Sequence, residues 1–185
     1  RLVGVIRYRK LAGQNVNFAA PAAWIAEIAE RAAAQGELRE WRRQAVALEG
    51  EARWAELAAL AARRSERVAD EPEAWFWLAV ASEAQGDWPA AERAYRQALV
   101  RAPGDVSSGL GLARARINQE RFDEALGGAR ELLASQREDT RVWTLIGWIE
   151  IRRGQAPAAA EALAEAMRLA PWNTGAQHLA ATLAV

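Results

Sequence analysis

Residues able to do covalent chemistry are few in this chain. His178 is the only histidine, and cysteine is absent. A serine nucleophile needs a histidine and an acid within hydrogen-bond reach, and no GxSxG or GNSGG segment occurs. Helices spaced about 8–10 Å apart would hold Ser107 and Ser108 about 20 Å from His178, two helical repeats away. One histidine without cysteine makes a poor metal site. Glu161 and Glu165 read as a solvated helix face. Gly109-Leu110-Gly111 and Gly127-Gly128 follow no strand and precede no GK[ST], so they form no phosphate cradle; they read as close helix packing or local softness. These patterns predict no catalytic residues, no metal and no cofactor. Non-covalent recognition by arginine, aromatic and apolar side chains is left, and its form depends on the elements that hold them.

Those elements recur. Shifting the sequence by 34 positions aligns Trp41, Trp75 and Trp143, with Gly109 in the same column of the third copy. A second column holds Trp54, Trp88, Phe122 and the weaker Ala156. A fixed period of this size marks stacked supersecondary units. Apolar residues at three-to-four spacing make a stripe on each helix, and small residues such as Ala79, Ala91 and Ala98 let paired backbones approach. Turns are expected at Gln85-Gly86-Asp87 and Arg153-Gly154-Gln155 within pairs, and at Ala102-Pro103-Gly104 and Ala170-Pro171-Trp172 between them.

The segment Pro72–Asp105 carries Trp75, Leu78, Ala79, Gly86, Ala91, Tyr95, Ala98 and Pro103, and in these positions it resembles the tetratricopeptide repeat (TPR). Val106–Asp139 continues the resemblance with Leu112, Ala113, Phe122, Ala125 and Ala129. Thr140–Asn173 does so with Trp143, Ile146, Gly147, Gly154, Ala159, Leu163, Ala166 and Pro171. Leu38–Glu71 is a looser copy, keeping Trp41, Ala45, Leu48 and Trp54 but placing Gln44 and Arg64 where the family prefers apolar or small residues. The resemblance implies a mainly α fold, a right-handed α-solenoid of helix-turn-helix repeats at 38–71, 72–105, 106–139 and 140–173. Residues 174–185, with Leu179, Ala180 and Leu183, supply the closing helix that a stack requires.

In that family the first helix of each repeat lines the concave side, which implies a groove built from Arg39, Arg42, Val46, Phe76, Trp77, Val80 and Glu83. Leu110, Arg114, Ile117, Arg141, Thr144, Trp148 and Arg152 continue it. Guanidinium forks beside aromatic and apolar groups suit an extended peptide with acidic or C-terminal carboxylate groups. Family members that clamp chaperone tails use lysine and asparagine, where this chain has Arg42, Val46, Trp77, Ser107 and Gly111; only Arg42 would serve. Trp77 and Trp148 have a second reading, as fillers between repeats.

Residues 1–36 break the period. Leu2-Val3-Gly4-Val5-Ile6 is a short β-branched run, Leu11-Ala12-Gly13-Gln14-Asn15 is turn-like, and Val16-Asn17-Phe18-Ala19 returns as a strand, predicting a β-hairpin. A helix follows from Ala22, with Trp24, Ile25 and Ile28 on one face, ending at Gln35-Gly36. The order LVGVI, turn, NVNFAAP, AWIAEI resembles the last strands and terminal helix of a trypsin-like, HtrA-like serine protease. That resemblance implies that Arg7, Tyr8 and Arg9 lie along a substrate-pairing strand, that the chain is the C-terminal region of a bacterial protease, and that it resides in the cell envelope or periplasm. Without the resemblance, the segment is a structural hairpin on a stand-alone, cytoplasmic adaptor. A bare hairpin is marginal in water, so it should dock on helices or pair with another chain, which makes a homo-oligomer possible.

Basic and acidic residues balance at 24 each, so no net field favours nucleic acid. No run approaches the roughly 18 apolar residues that span a bilayer. The sequence therefore predicts a protein-binding scaffold in two parts, 1–36 and 37–185.

Overall fold

The computed structural model describes the backbone of residues 2–9 and 15–183, and the side chains of Trp24 and residues 26–183. Two compact units divide the chain, Arg1–Ala47 and Leu48–Val185.

In the first unit, β1 (Leu2–Arg9) and β2 (Asn15–Pro21) pair antiparallel, with Ile6 opposite Phe18 and Tyr8 opposite Val16. The turn expected over Leu11-Ala12-Gly13-Gln14 lies outside the described residues, as do the side chains of Arg7, Tyr8 and Arg9. The helix that follows does not stop at Gln35-Gly36, because α1 runs unbroken over Ala22–Gly50. Open space surrounds Gly36, and a glycine in an exposed helix costs only about 1 kcal/mol relative to alanine. The alanine-, glutamate- and arginine-rich sequence on both sides outweighs that cost. Trp24 and Ile28, one turn apart on α1, are both largely exposed.

After the end of α1, the regular elements of the second unit's described residues are all helices: α2 (Trp54–Arg67), α3 (Pro72–Ala84), α4 (Trp88–Arg101), α5 (Val106–Asn118), α6 (Phe122–Ser135), α7 (Thr140–Arg152), α8 (Ala156–Leu169) and α9 (Thr174–Leu183). Each helix packs on the next, and in addition α3 touches α5, α5 touches α7 and α7 touches α9. Among the described residues α4, α6 and α8 make no comparable contacts with one another. The first-position helices therefore crowd together and form the inner side of the stack.

Four turns share one backbone. Residues 52, 86, 120 and 154, spaced by 34, have φ of 55°, 76°, 60° and 73°. After each, an N–H reaches back five residues: Arg53 to Leu48, Asp87 to Ser82, Arg121 to Arg116 and Gln155 to Glu150. This left-handed stop satisfies the last carbonyls of the preceding helix. Glycine fills it in two copies, but Ala52 and Glu120 hold the same conformation against the clash of their Cβ.

The tryptophan column survives as a packing rule. Trp75 and Trp143 each donate their indole N–H to the carbonyl six residues earlier, Ala69 at 3.1 Å and Arg137 at 2.9 Å. In the third repeat the column holds Gly109, and a Cβ there would lie 2.6 Å from Leu132 Cδ1. Leu132 in turn stands 34 positions from Ala98 and Ala166. A tryptophan-with-alanine pair has become a glycine-with-leucine pair, so Gly109 marks close packing and not slack.

Two measurements check this account. Glu120→Gly should raise thermal stability by about 1 kcal/mol, less the entropy that glycine adds to the unfolded chain, a gain of a few degrees at most in a circular-dichroism melt. Leu132→Ala alone should cost about 2–5 kcal/mol by opening a cavity, and Gly109→Trp alone about 1–3 kcal/mol or more by overpacking. The double variant should lose clearly less than the sum of the two.

Candidate functional site

The inner side of α3, α5 and α7 combines apolar shape with charge that is already paired. On α3, Phe76 and Trp77 meet edge to face with centroids 5.6 Å apart, and Phe76 also leans on Tyr95 of α4 at 6.1 Å. Phe76, Trp77 and Val80 remain partly exposed. Between the starts of α3 and α5 lies a recess of about 330 Å³ lined by Pro72, Glu73, Phe76, Trp77, Ala102, Asp105, Ser107 and Ser108. Asp105 caps α5 by accepting the Ser108 backbone N–H at 2.8 Å. The Ser108 side chain is 1 % exposed, and its hydroxyl has no hydrogen-bond partner.

One three-residue tie crosses the centre of this side. Arg114 of α5 donates to both carboxylate oxygens of Glu83 on α3, at 2.8 and 3.1 Å, and the Tyr95 hydroxyl donates to the same carboxylate at 2.6 Å. Burial, and then the bond to Glu83, push the Tyr95 phenol far above its ordinary range. Tyr95 can lie flat here because Gly111 is beneath it; a Cβ at that position would fall 2.2 Å from the ring. Further along, Arg141 folds back on Asp139, the cap of its own helix, at 2.6–3.2 Å. The Arg152 guanidinium stands over the Phe122 ring at 5.4 Å.

Several expected groove residues have other employment. Ile117 is fully buried and Leu110 nearly so, because both point into the core formed with Ala125, Leu126, Val142 and Ile149; they cannot line a groove. Thr144 donates to the Thr140 carbonyl and accepts from Asn173, which ties α7 to the closing helix. Trp148 is partly buried against the same core. Arg39, Arg42 and Val46 are exposed on α1, in the N-terminal unit. Arg114 and Arg141, the expected carboxylate grips, are each engaged by an acid of this chain.

Comparison with known proteins agrees with the geometry. Tetratricopeptide-repeat family models match residues 82–149 and 49–106. Residues 49–149 are tetratricopeptide repeats. The TPR array is similar in fold to TTC0263 of Thermus thermophilus, with a TM-score of 0.68 and 18% identity over 78% of this chain and 80% of that one. MamA of Desulfovibrio magneticus RS-1 gives 0.67 and 18% over 79% and 88%. The Yersinia enterocolitica type III secretion chaperone SycD, in complex with a peptide of the translocator YopD, gives 0.56 and 17% over 60% and 91%. No curated protein matches the chain in sequence.

Sequence reasoning missed Tyr95 as a bridge, Asp105 as a lining group and the buried Ser108 hydroxyl. A signal was present for one of them: Asp105, Asp139 and Asn173 recur at 34 positions, and all three cap the helices that follow. The other two depend on which side chains the stack brings together and which it buries. Among the described residues no group of three His, Cys, Asp or Glu is placed to hold a metal, and no helix is long and apolar enough to cross a membrane.

The densest charge cluster is structural. Glu92 of α4 is buried, with Arg121 at 2.6 Å, Arg96 at 2.6 Å and the Gln119 amide at 3.0 Å. Burial pushes its carboxyl up, but the bonds from Gln119 and Arg121 and the charges of Arg96 and Arg121 hold it, on balance, below the ordinary 4.5. A carboxyl lowered on folding stabilises the fold fully above its unfolded pKa and loses that contribution as pH falls through the folded value. Stability measured by denaturant titration should therefore fall as pH drops below about 4.5. Glu92→Gln should flatten that fall and cost about 1–3 kcal/mol at pH 7, since the buried side chain loses the charge on which its bonds from Arg121, Arg96 and Gln119 depend.

Proposed function

We propose that the inner side of α3, α5 and α7 binds an extended segment of another protein. The observation that supports this most directly is the recess beside Phe76 and Trp77: aromatic side chains left partly open on the side where the first-position helices converge. A folded array with no outlet for these groups would have buried them, as it buries Ile117. Partly exposed aromatics around a concave apolar site are the usual anchors for a guest side chain. SycD, with the same fold, holds a peptide of YopD, which lends the reading support by analogy.

A preference for acidic or C-terminal carboxylate guests would require Arg114 to leave Glu83 and Arg141 to leave Asp139. Both pairs hold two or more hydrogen bonds, so the acidic reading is the weaker one. The trypsin-like reading of residues 1–36, with Arg7, Tyr8 and Arg9 as a substrate strand, rests on sequence resemblance alone. Self-association through the N-terminal unit draws support from Trp24 and Ile28, 62% and 63% exposed on one helix face. Light scattering across concentration tests it, and a strictly monomeric species would remove that option.

Peptides selected from a random displayed library on the intact protein provide the test of the groove. A Phe76→Ala/Trp77→Ala variant should bind them about tenfold or more weakly while keeping its helical circular dichroism, as expected when anchor residues worth about 2 kcal/mol are truncated. Arg114→Ala/Arg141→Ala should leave affinity for acidic peptides within about twofold of the parent, as expected if neither arginine is available. Undiminished binding by the aromatic double variant would sink the groove reading.

A further inference from the structure

One position between successive repeats is filled in two copies and open in a third. In the second and fourth repeats Trp75 and Trp143 donate their indole N–H groups to the carbonyls of Ala69 and Arg137. The Arg101 guanidinium covers the Trp75 ring from 4.9 Å. In the third repeat Gly109, Pro103 and Ser135 stand 34 positions after Trp75, Ala69 and Arg101, so the sequence supplies neither the ring nor its cover. The backbone around the position is nevertheless repeated. The turns before α3, α5 and α7 carry the same hydrogen bond, Glu71 to Val68, Asp105 to Ala102 and Asp139 to Gln136, each at 3.1 Å.

Leu132 takes the space at the Gly109 Cβ. Beside it remains a recess of about 350 Å³ between the end of α4, α5 and α6, whose lining includes Leu99, Pro103, Leu112 and Ser135. Pro103 and Ser135, the counterparts of the two residues that hold the Trp75 ring, are both exposed, so a guest reaches them from solvent. A cavity of about 150 Å³ admits benzene, and this one has room for the larger indole. The Pro103 carbonyl, unlike those of Ala69 and Arg137, accepts no hydrogen bond from the described residues. Glu131, also in the lining, is exposed and has no hydrogen bond or ion pair among the described residues. The one cation of the lining, Arg116, is engaged by the Glu124 carbonyl at 3.0 Å and by Glu92 at 3.5 Å. The open polar groups are thus acceptors, and charge complementarity favours a flat apolar guest with a donor at its edge.

We propose that this recess binds a tryptophan side chain displayed by a partner protein. The guest ring lies against Leu99 and Leu112, and its N–H donates to the Pro103 carbonyl. The partner thereby supplies from outside the contact that Trp75 and Trp143 supply from within. A buried indole N–H takes an acceptor, and tryptophan is among the residue types that anchor interfaces. The site shares no lining residue with the recess beside Phe76 and Trp77, and it stands whether or not that groove binds a peptide.

In the experiment the full chain and its Phe76→Ala/Trp77→Ala variant are each offered three peptide libraries, randomised except for a central tryptophan, 1-methyltryptophan or leucine. Methylation keeps the ring and removes its donor. Capture from the tryptophan library should exceed capture from the 1-methyltryptophan library by about fivefold, the value of one net hydrogen bond, and from the leucine library by about tenfold or more. Both proteins should show the same preference. Gly109→Trp/Leu132→Ala restores the pair that Trp75 makes with Ala98 and Trp143 with Ala166, and by filling the recess from within it should reduce tryptophan capture to the leucine level. Gly128→Leu should do the same from another lining position, where an added Cβ meets only Arg116 Nη1 at 3.4 Å. Leucine favours the helix over glycine, so this variant keeps the test decisive even if the double variant fails to fold. Equal capture of tryptophan and 1-methyltryptophan, or undiminished capture by Gly128→Leu, overturns the inference. A preference lost only in Phe76→Ala/Trp77→Ala also overturns it and supports the groove instead. Self-association that Trp172→Ala abolishes and Gly128→Leu weakens would assign the recess to the exposed Trp172 of a second copy, and so overturn the partner assignment.

Discussion

No helical hairpin in this chain can cover its own apolar side, and every other feature of the repeat unit answers to that constraint. Stacking supplies the missing cover only if neighbouring backbones come close, which is why the contact positions are alanine or glycine. Gly147 lies beneath Leu163 and Gly111 beneath Tyr95, each so tightly that a Cβ would fall within 2.6 Å of the side chain above. The array tolerates a change of residue at such a contact only when its partner changes too, as with Gly109 and Leu132.

Close approach of first-position helices has an electrostatic consequence. Arg114 and Glu83 come from successive repeats and meet because α3 and α5 touch; Tyr95 reaches the same carboxylate from α4. The tie satisfies charges that crowding would otherwise leave facing one another half-buried, where an unmatched charge is costly. It also withdraws the two most central charged side chains of the inner side from recognition. The recess at the start of α3 and α5 keeps open aromatic walls because no neighbouring side chain fills it.

The N-terminal unit follows different physics. Its strands pair locally, and its helix continues through Gly36 on intrinsic propensity. Trp24 and Ile28 lie exposed on that helix, an apolar face whose spacing suits a partner helix or sheet.

What the sequence determined by itself was everything that depends on local periodicity: the 34-residue repeat, the helix-turn-helix units, the turns at Gly86 and Gly154, and the closing helix. These follow from backbone and patterning rules that act within a few residues. Only tertiary structure decided that Ile117 and Leu110 are core and not groove, that Arg114 is engaged by Glu83, and that Leu132 takes the space beside Gly109. The physical reason is that helical spacing assigns a residue to a face, whereas its burial and its hydrogen-bond partner depend on side chains about 30 positions away that the stack brings within reach.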